Sequence, residues 1–275
     1  MLRAIPAAMD SSVVAEIDLR LEGIAREHHV KIPLAIESGS RAWGFPSPDS
    51  DYDCRFIFVQ SLDNYLSLFP SRDVIETPLI GKFDVNGWDL AKAIRLLLKG
   101  NAVVIEWLTS PIVYAADEWF RSAFLALAER AANRDLIARH YLHLGQRQRG
   151  TSFADEREFP LKRIFYALRP AAALRWLELH PDKTIAPMHF PALLAGCDPP
   201  QDVAALVEGL IARKAVTNEL GAGPVPVPIS KFIDSEFASA QERLRAPPTP
   251  VEGAKAEAQA FLMAALAHCQ ILPAA

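Results

Sequence analysis

Gly39-Ser40-Arg41-Ala42-Trp43-Gly44-Phe45-Pro46-Ser47-Pro48-Asp49-Ser50-Asp51-Tyr52-Asp53 joins two short apolar runs. The first, 32–36, lies after a helical pattern and reads as a buried strand. The second, Phe56-Ile57-Phe58-Val59, continues from Asp-x-Asp and reads as a strand over 51–59. Residues two apart on a strand share a face, so Asp51 and Asp53 project together and Tyr52 projects the other way. Two carboxylates that close repel each other, and the arrangement is favourable mainly with cations between them. Mg²⁺ favours such a place, because it takes one or two carboxylates, waters and substrate phosphates.

The Gly-Ser pair supplies the complementary half. Gly39 lets backbone approach a phosphate closely, and Ser40 offers an amide and a hydroxyl. A helix beginning there would add its N-terminal amides. Arg41 has two readings, a phosphate contact or a salt bridge to the nearby acids. The best placed third acid is Asp84, between Phe83 and Val85 in a short apolar strand, where an ionised side chain needs a reason. Asp89 competes, but it falls at the start of the next helix, where the helix dipole already accounts for an acid. Two other motifs fail on the letters. A Walker A loop needs Lys-Ser/Thr after Gly44, and Phe45-Pro46 follows. An EF-hand from Asp49 puts Cys54 at the glycine position and Gln60 at the bidentate glutamate.

The rest of the chain sets the frame. With 275 residues, 51% hydrophobic and 23% charged, it has the composition of a globular protein with a substantial core. A net charge of −4 argues against a basic coat for non-specific nucleic-acid binding, while leaving room for a local basic face. Cys54, Cys197 and Cys269 show no zinc or disulfide spacing. The N-terminus does not look like a signal peptide, and no apolar run approaches the ~20 residues of a membrane span, so cytoplasm is expected. The patterns predict a helix over 11–29 capped by a serine pair, strands over 73–79 and 82–85, and helices over 88–99 and 103–108. Beyond about 116, strand-like runs vanish and helical periodicity dominates, with Pro170 expected to kink or end one helix. The predicted architecture is α/β (α+β): an α/β domain over 1–115, then an all-helical domain over 116–275.

Taken together, Gly39-Ser40, Asp51-Tyr52-Asp53 and the later strand acid Asp84 resemble the DNA polymerase β-type nucleotidyltransferase superfamily. More narrowly, the motifs at 37–44, 47–53, 84–90 and 97–101, with a weaker echo at 162–170, are similar to its predicted bacterial RNA-repair-type family. Cys54 stands where an aliphatic residue is more usual. The resemblance implies a mixed sheet flanked by helices and a nucleoside triphosphate such as ATP as substrate. It implies two Mg²⁺ ions, replaceable by Mn²⁺, at the sheet edge. Gly39 and Ser40 would then hold the terminal phosphates, Asp51 and Asp53 the metals, and Asp84 the metal that activates an acceptor hydroxyl.

In the helical half, Lys162, Tyr166 and Arg169 fall on one helical face. A cation, an aromatic ring and a guanidinium in a row suit triphosphate oxygens and a stacked base, while a solvated face is the plain alternative. The segment 139–169 also carries Arg139, Arg147, Arg149, Arg157 and Arg163 against Asp155, Glu156 and Glu158. His140 and His143 lack an evident third ligand and read as structural. The tryptophans read as packing, with Trp43 placed to cover a nucleotide. The expected activity is transfer of a nucleoside monophosphate to an acceptor hydroxyl. The acceptor would be an RNA end or, alternatively, a protein side chain (a protein-modifying adenylyltransferase) or a small molecule. The competing class is a catalytically inactive nucleotide-sensing or antitoxin-like module.

Overall fold

Val14, Ile17, Leu21 and Ile24 form one stripe at helical spacing, and burying it docks helix α1 (Ser11–Glu27) on one face of a sheet. The cap is Asp10, whose side chain accepts from the Ser12 amide, not the expected serine pair. The computed structural model describes residues 1–152, 159–218 and 220–271. Asp155, Glu156, Arg157 and Glu158 of the basic segment lie outside the described residues.

Before α1 lies β1 (Leu2–Ala4). After it come β2 (Lys31–Glu37), the one-turn helix α2 (Gly39–Trp43), β3 (Tyr52–Val59), α3 (Leu62–Leu66), β4 (Val74–Glu76) and β5 (Phe83–Asp89). Helices α4 (Leu90–Leu98) and α5 (Ala102–Thr109) lead to β6 (Val113–Ala116). The helices α6 (Glu118–Ala131), α7 (Arg134–Ser152), α8 (Ile164–Leu179), α9 (Phe190–Gly196), α10 (Gln201–Val216), α11 (Val227–Arg243) and α12 (Ala254–His268) follow. Among them, β7 (Phe159–Pro160) pairs with β8 (Ala222–Gly223).

The main sheet is mixed, as expected, in the order β1-β6-β2-β3-β5-β4. Its β3–β5 pair is parallel and its other pairs are antiparallel. Strand alternation divides the residues between two faces. Ala35, Phe56 and Phe58 pack with the α1 stripe, while Leu34, Ile36, Ile57 and Val59 join the cores of α4, α5 and α6. That second cluster runs on without a break into α7–α12, as far as Cys269. Among the described residues no helix is long and apolar enough to cross a membrane.

Several elements differ from the sequence reading. β5 continues to Asp89, because seven residues pair with β3, and the helix begins only at Leu90. Asp89 is therefore a buried N-cap, accepting from the Ala91 amide and from Tyr65 Oη, at the far end of β5 from Asp84. β1 and β6, three and four residues long, carry too little pattern to be read and exist through pairing with the sheet. Pro170 does not end its helix: α8 runs on to Leu179. The short helix α9 was not foreseen.

Candidate active site

Asp53 and Asp84 are register partners in the parallel β3–β5 pair, so their side chains leave the same face at the same level. Arg55, two residues beyond Asp53 on that face, bridges them. Its Nη2 donates to Asp53 Oδ1 at 3.1 Å and to Asp84 Oδ2 at 2.6 Å. Its Nη1 donates to the carbonyls of Asp84 at 2.8 Å and Cys54 at 3.1 Å, which fixes the guanidinium in the plane between the strands. Asn86 Nδ2 donates to the other Asp84 oxygen. Burial pushes the Asp53 carboxyl pKa up, Arg55 opposes this, and the charges of Asp84 and Asp51 add to the rise.

Asp53 is also clamped through its peptide. Its amide donates to Glu37 Oε1 at 3.0 Å, and its carbonyl accepts from the Ser38 amide at 2.8 Å. Glu37 is fully buried, and its second oxygen accepts from Tyr114 Oη at 2.5 Å. Burial raises its pKa to about 7 against the pull of those hydrogen bonds. Gly39, with φ +59°, lies directly on Asp53: a β-carbon there would stand 1.9 Å from Asp53 Oδ2. The Gly-Ser bend and the acids are thus one unit.

A cleft of about 530 Å³ opens beside them. Gly39, Ser40, Asp51 and Asp53 line it from the sheet side, and Lys162, Arg163, Tyr166 and Lys214 line it from the helical half. The hydroxyls of Ser40 and Ser47 both meet Ser50 Oγ, at 3.0 and 2.9 Å, which ties the turn to the loop. Arg41 does not line the cleft. It donates to the carbonyls of Asp51 (3.1 Å) and Ser50 (2.6 Å) and lies 3.9 Å over the Tyr52 ring, bracing the loop. Tyr166 meets Trp43 edge-on, and both rings face the cleft.

Arg169 is set behind Trp43 rather than in the cleft. Its guanidinium lies 4.2 Å over the Trp43 ring, and Nη2 pairs with buried Glu106 at 2.9 Å. Lys162, Tyr166 and Arg169 therefore do not form one contact row: two line the cleft and the third supports Trp43 from the core side. His140 Nδ1 accepts from the Ala102 amide at 3.4 Å, a packing contact between α7 and the start of α5.

Among the described residues no three His, Cys, Asp or Glu side chains converge closely enough to hold a metal ion. Asp53 and Asp84 are hard oxygen donors at one level, and Asp51 and Asp53, though not Asp84, line the cleft, a donor set that suits Mg²⁺ completed by water and phosphate oxygens. Arg55 supplies the positive charge between the pair, so a cation seated there would take over its contacts.

The family model for the RNA repair pathway DNA polymerase beta family matches residues 13–264. The chain belongs to that family, which places it among the polymerase β-type nucleotidyltransferases. It is 38% identical over 222 residues to the Bacillus subtilis (strain 168) protein called uncharacterized protein YcgL, covering 81% of this chain and 84% of that one. Among solved structures, a nucleotidyltransferase-like protein from Exiguobacterium sibiricum 255-15 aligns with a TM-score of 0.32 at 10% identity, over 92% of this chain and 80% of that one.

Sequence reasoning passed over Arg55, Glu37 and Lys214. Arg55 had a signal: it continues the alternation Asp51, Asp53 in a strand that is otherwise apolar. Glu37 had a weaker one, as an acid ending a buried strand. Lys214 had none, since nothing local distinguishes it from other helix lysines.

Three outcomes are expected. Gly39→Ala should displace the Asp53 carboxylate and cost roughly 1–3 kcal/mol from φ strain alone, read by urea unfolding. In chelator-containing buffer, stability should fall as pH rises from about 4.5 through about 7, because folded Glu37 holds its proton to about 7 and the unfolded chain releases it near 4.5. Asp53 acts in the same sense. The Glu37 contribution is complete below 4.5 and lost above 7, at most ~3 kcal/mol, and Glu37→Gln should flatten the profile. Arg169→Ala should cost roughly 3–5 kcal/mol by leaving Glu106 buried and unpaired. Arg169→Met with Glu106→Gln should recover much of that in the same unfolding assay.

Proposed function

We propose that this protein is a metal-dependent nucleotidyltransferase that moves a nucleoside monophosphate from a nucleoside triphosphate to an acceptor hydroxyl. The observation that carries this reading is the pairing of Asp53 with Asp84 at one level of a parallel strand pair, with the Gly39 bend against them. In this reading residues 1–115 carry the chemistry, and the helices of 116–275 complete the nucleotide site. Gly39 and Ser40 hold phosphate oxygens at the mouth of the bend. Trp43 and Tyr166 flank the base, and Lys162 meets the phosphates. Arg41 holds the loop that carries Asp51, and Arg169 holds Trp43.

The acceptor oxygen bonds to the α-phosphorus, the bond from that phosphorus to the bridging oxygen of the β-phosphate breaks, and pyrophosphate leaves in line. The hydroxyl proton goes to Asp84 or to water. Asp53 and Asp84, with Asp51 nearby on the cleft, would hold Mg²⁺ (or Mn²⁺), which would supply a lowered hydroxyl pKa and neutralise charge on the transferring phosphoryl group. Arg55, which bridges Asp53 and Asp84, would yield those contacts to such an ion.

An RNA end is the proposed acceptor. The family description supports it, as do the cleft-lining cations Lys162, Arg163 and Lys214. A second reading, a nucleotide-binding module without turnover, draws on Arg55, which already neutralises the acid pair. Incubation of the chain with α-labelled triphosphates, Mg²⁺ and separate RNA, protein and metabolite pools tests both. Label is expected in RNA, with Asp53→Asn or Asp84→Asn lowering transfer on the order of 10²–10³-fold, as for loss of a group that stabilises transition-state charge. Label confined to protein or metabolites removes the RNA acceptor. Tight triphosphate binding with no transfer in any pool, unchanged by Asp53→Asn, favours the module.

A further inference from the structure

Leu66, Leu68, Phe69, Leu79 and Ile80 are large apolar side chains left in water, and they flank the short strand β4. Leu68 and Phe69 are 90% and 91% exposed. The loop that displays them is braced. Asn64 Oδ1 accepts from the Ser71 amide at 2.7 Å, and Ser67 Oγ accepts from the Phe69 amide at 3.0 Å. Single exposed apolar residues need no account, but a group of them around one element marks a contact surface.

β4 is an edge strand of the main sheet, and among the described residues nothing pairs with it on its outer side. The Asp89 amide donates to the Asp73 carbonyl at 3.0 Å, so residue 73 turns its main-chain groups toward β5. Alternation then turns those of Ile75 inward as well, and those of Val74 and Glu76 outward. The strand is fixed in that attitude. Asp73 accepts from Lys92 Nζ at 2.9 Å, and Thr77 Oγ1 donates to the Val85 carbonyl at 2.8 Å. Solitary edges are commonly blunted by lysine, proline or a bulge, and Val74-Ile75-Glu76 has none of these.

We propose that β4 pairs with β4 of a second copy of this chain, antiparallel about a two-fold axis at Ile75, so that two chains share one continuous sheet. A second copy is the occupant because the edge is complementary to itself in three ways. Val74 of one copy meets Glu76 of the other, and both residues aim their amides and carbonyls outward, so they close as hydrogen-bonded pairs. Arg72 pairs with its own Glu76 at 2.8 Å, on the face that also carries Val74. From there it reaches Glu76 of the second copy diagonally, and no like charges stand opposite each other. The antiparallel order also sets the loop before β4 beside the loop after β4 of the second copy. Leu68 and Phe69 then cover Leu79 and Ile80, once on each side of the axis. Glu76 opposes Asn86, which holds Asp84, so the pairing also steadies the strand that carries this acid.

The test is the mass of the full chain in solution over roughly 1–100 µM, by light scattering and sedimentation, together with hydrogen exchange at the Val74 and Glu76 amides. Wild type should double in mass as concentration rises, and both amides should exchange more slowly as it does. Phe69→Glu should raise the dissociation constant on the order of 100-fold, since each dimer loses two buried rings. The melting temperature of the monomer should hold, because that ring is exposed in the single chain. Arg72→Glu and Glu76→Arg should each weaken association by about 10-fold, as like charges then meet across the axis. Mixed together, these two variants should associate as wild type does. Each supplies the charge that the other lacks, although both have lost the ion pair within the chain. A wild type that stays monomeric at the top of that range overturns the proposal. So does a dimer that Phe69→Glu leaves intact, or one whose two amides exchange at the monomer's rate. A mixture of the charge variants that associates no better than either alone overturns it as well.

Discussion

Two carboxylates at the same level of adjacent strands repel unless a cation lies between them, and most of the site follows from that constraint. Asp53 and Asp84 meet it with Arg55, whose guanidinium touches both acids and is held by two main-chain carbonyls. Even so, burial leaves the Asp53 carboxyl raised. Positive charge beside the pair opposes that rise, as Arg55 does. The surroundings keep the pair from relaxing apart: Glu37 and Ser38 hold the Asp53 peptide, Asn86 holds Asp84, and Gly39 is the residue type that can lie against the Asp53 oxygen.

A sheet edge of this kind is an open surface, and the helical half turns it into a cleft. Phe45, just beyond the bend, stacks on Phe165 and meets Phe190 edge-on. Such ring pairs add roughly 0.5–1.5 kcal/mol each beyond area burial. Lys214 holds the Phe45 carbonyl, and Arg169 packs on Trp43 while pairing with Glu106 of α5. The loop between the two motifs is thereby pinned from both sides. The result is a cleft lined by Asp51, Asp53 and Arg55 from the sheet side and by Lys162, Arg163 and Lys214 from the helical half.

Period, turn chemistry and isolated charges are local properties, and they were readable. The strand that carries Asp53, the Gly-Ser bend, the lone acid at Asp84 and the stripe of α1 each came from a few neighbouring letters, because strand and helix geometry dictates which residues share a face, whereas Asp51, expected on the strand, lies just before β3. Arg55 belonged to the same strand and could have been included. The mixed sheet was implied by the resemblance to the nucleotidyltransferase superfamily rather than by local geometry. The edge pairings of β1 and β6 were not legible, because strands of three or four residues owe their existence to partners far along the chain.

Packing between distant segments assigned everything else. Lys162, Tyr166 and Arg169 share a helical face in the sequence pattern, yet Trp43 and Glu106 draw Arg169 inward while the other two meet the cleft. Arg41 had two local readings, and the loop carbonyls of Ser50 and Asp51 hold it. Lys214 enters only because α10 crosses the loop at Phe45, 169 residues earlier in the chain. Neighbouring letters decide which way a side chain points from its own element. Whether that direction leads to core, solvent or cleft depends on the surface folded against it.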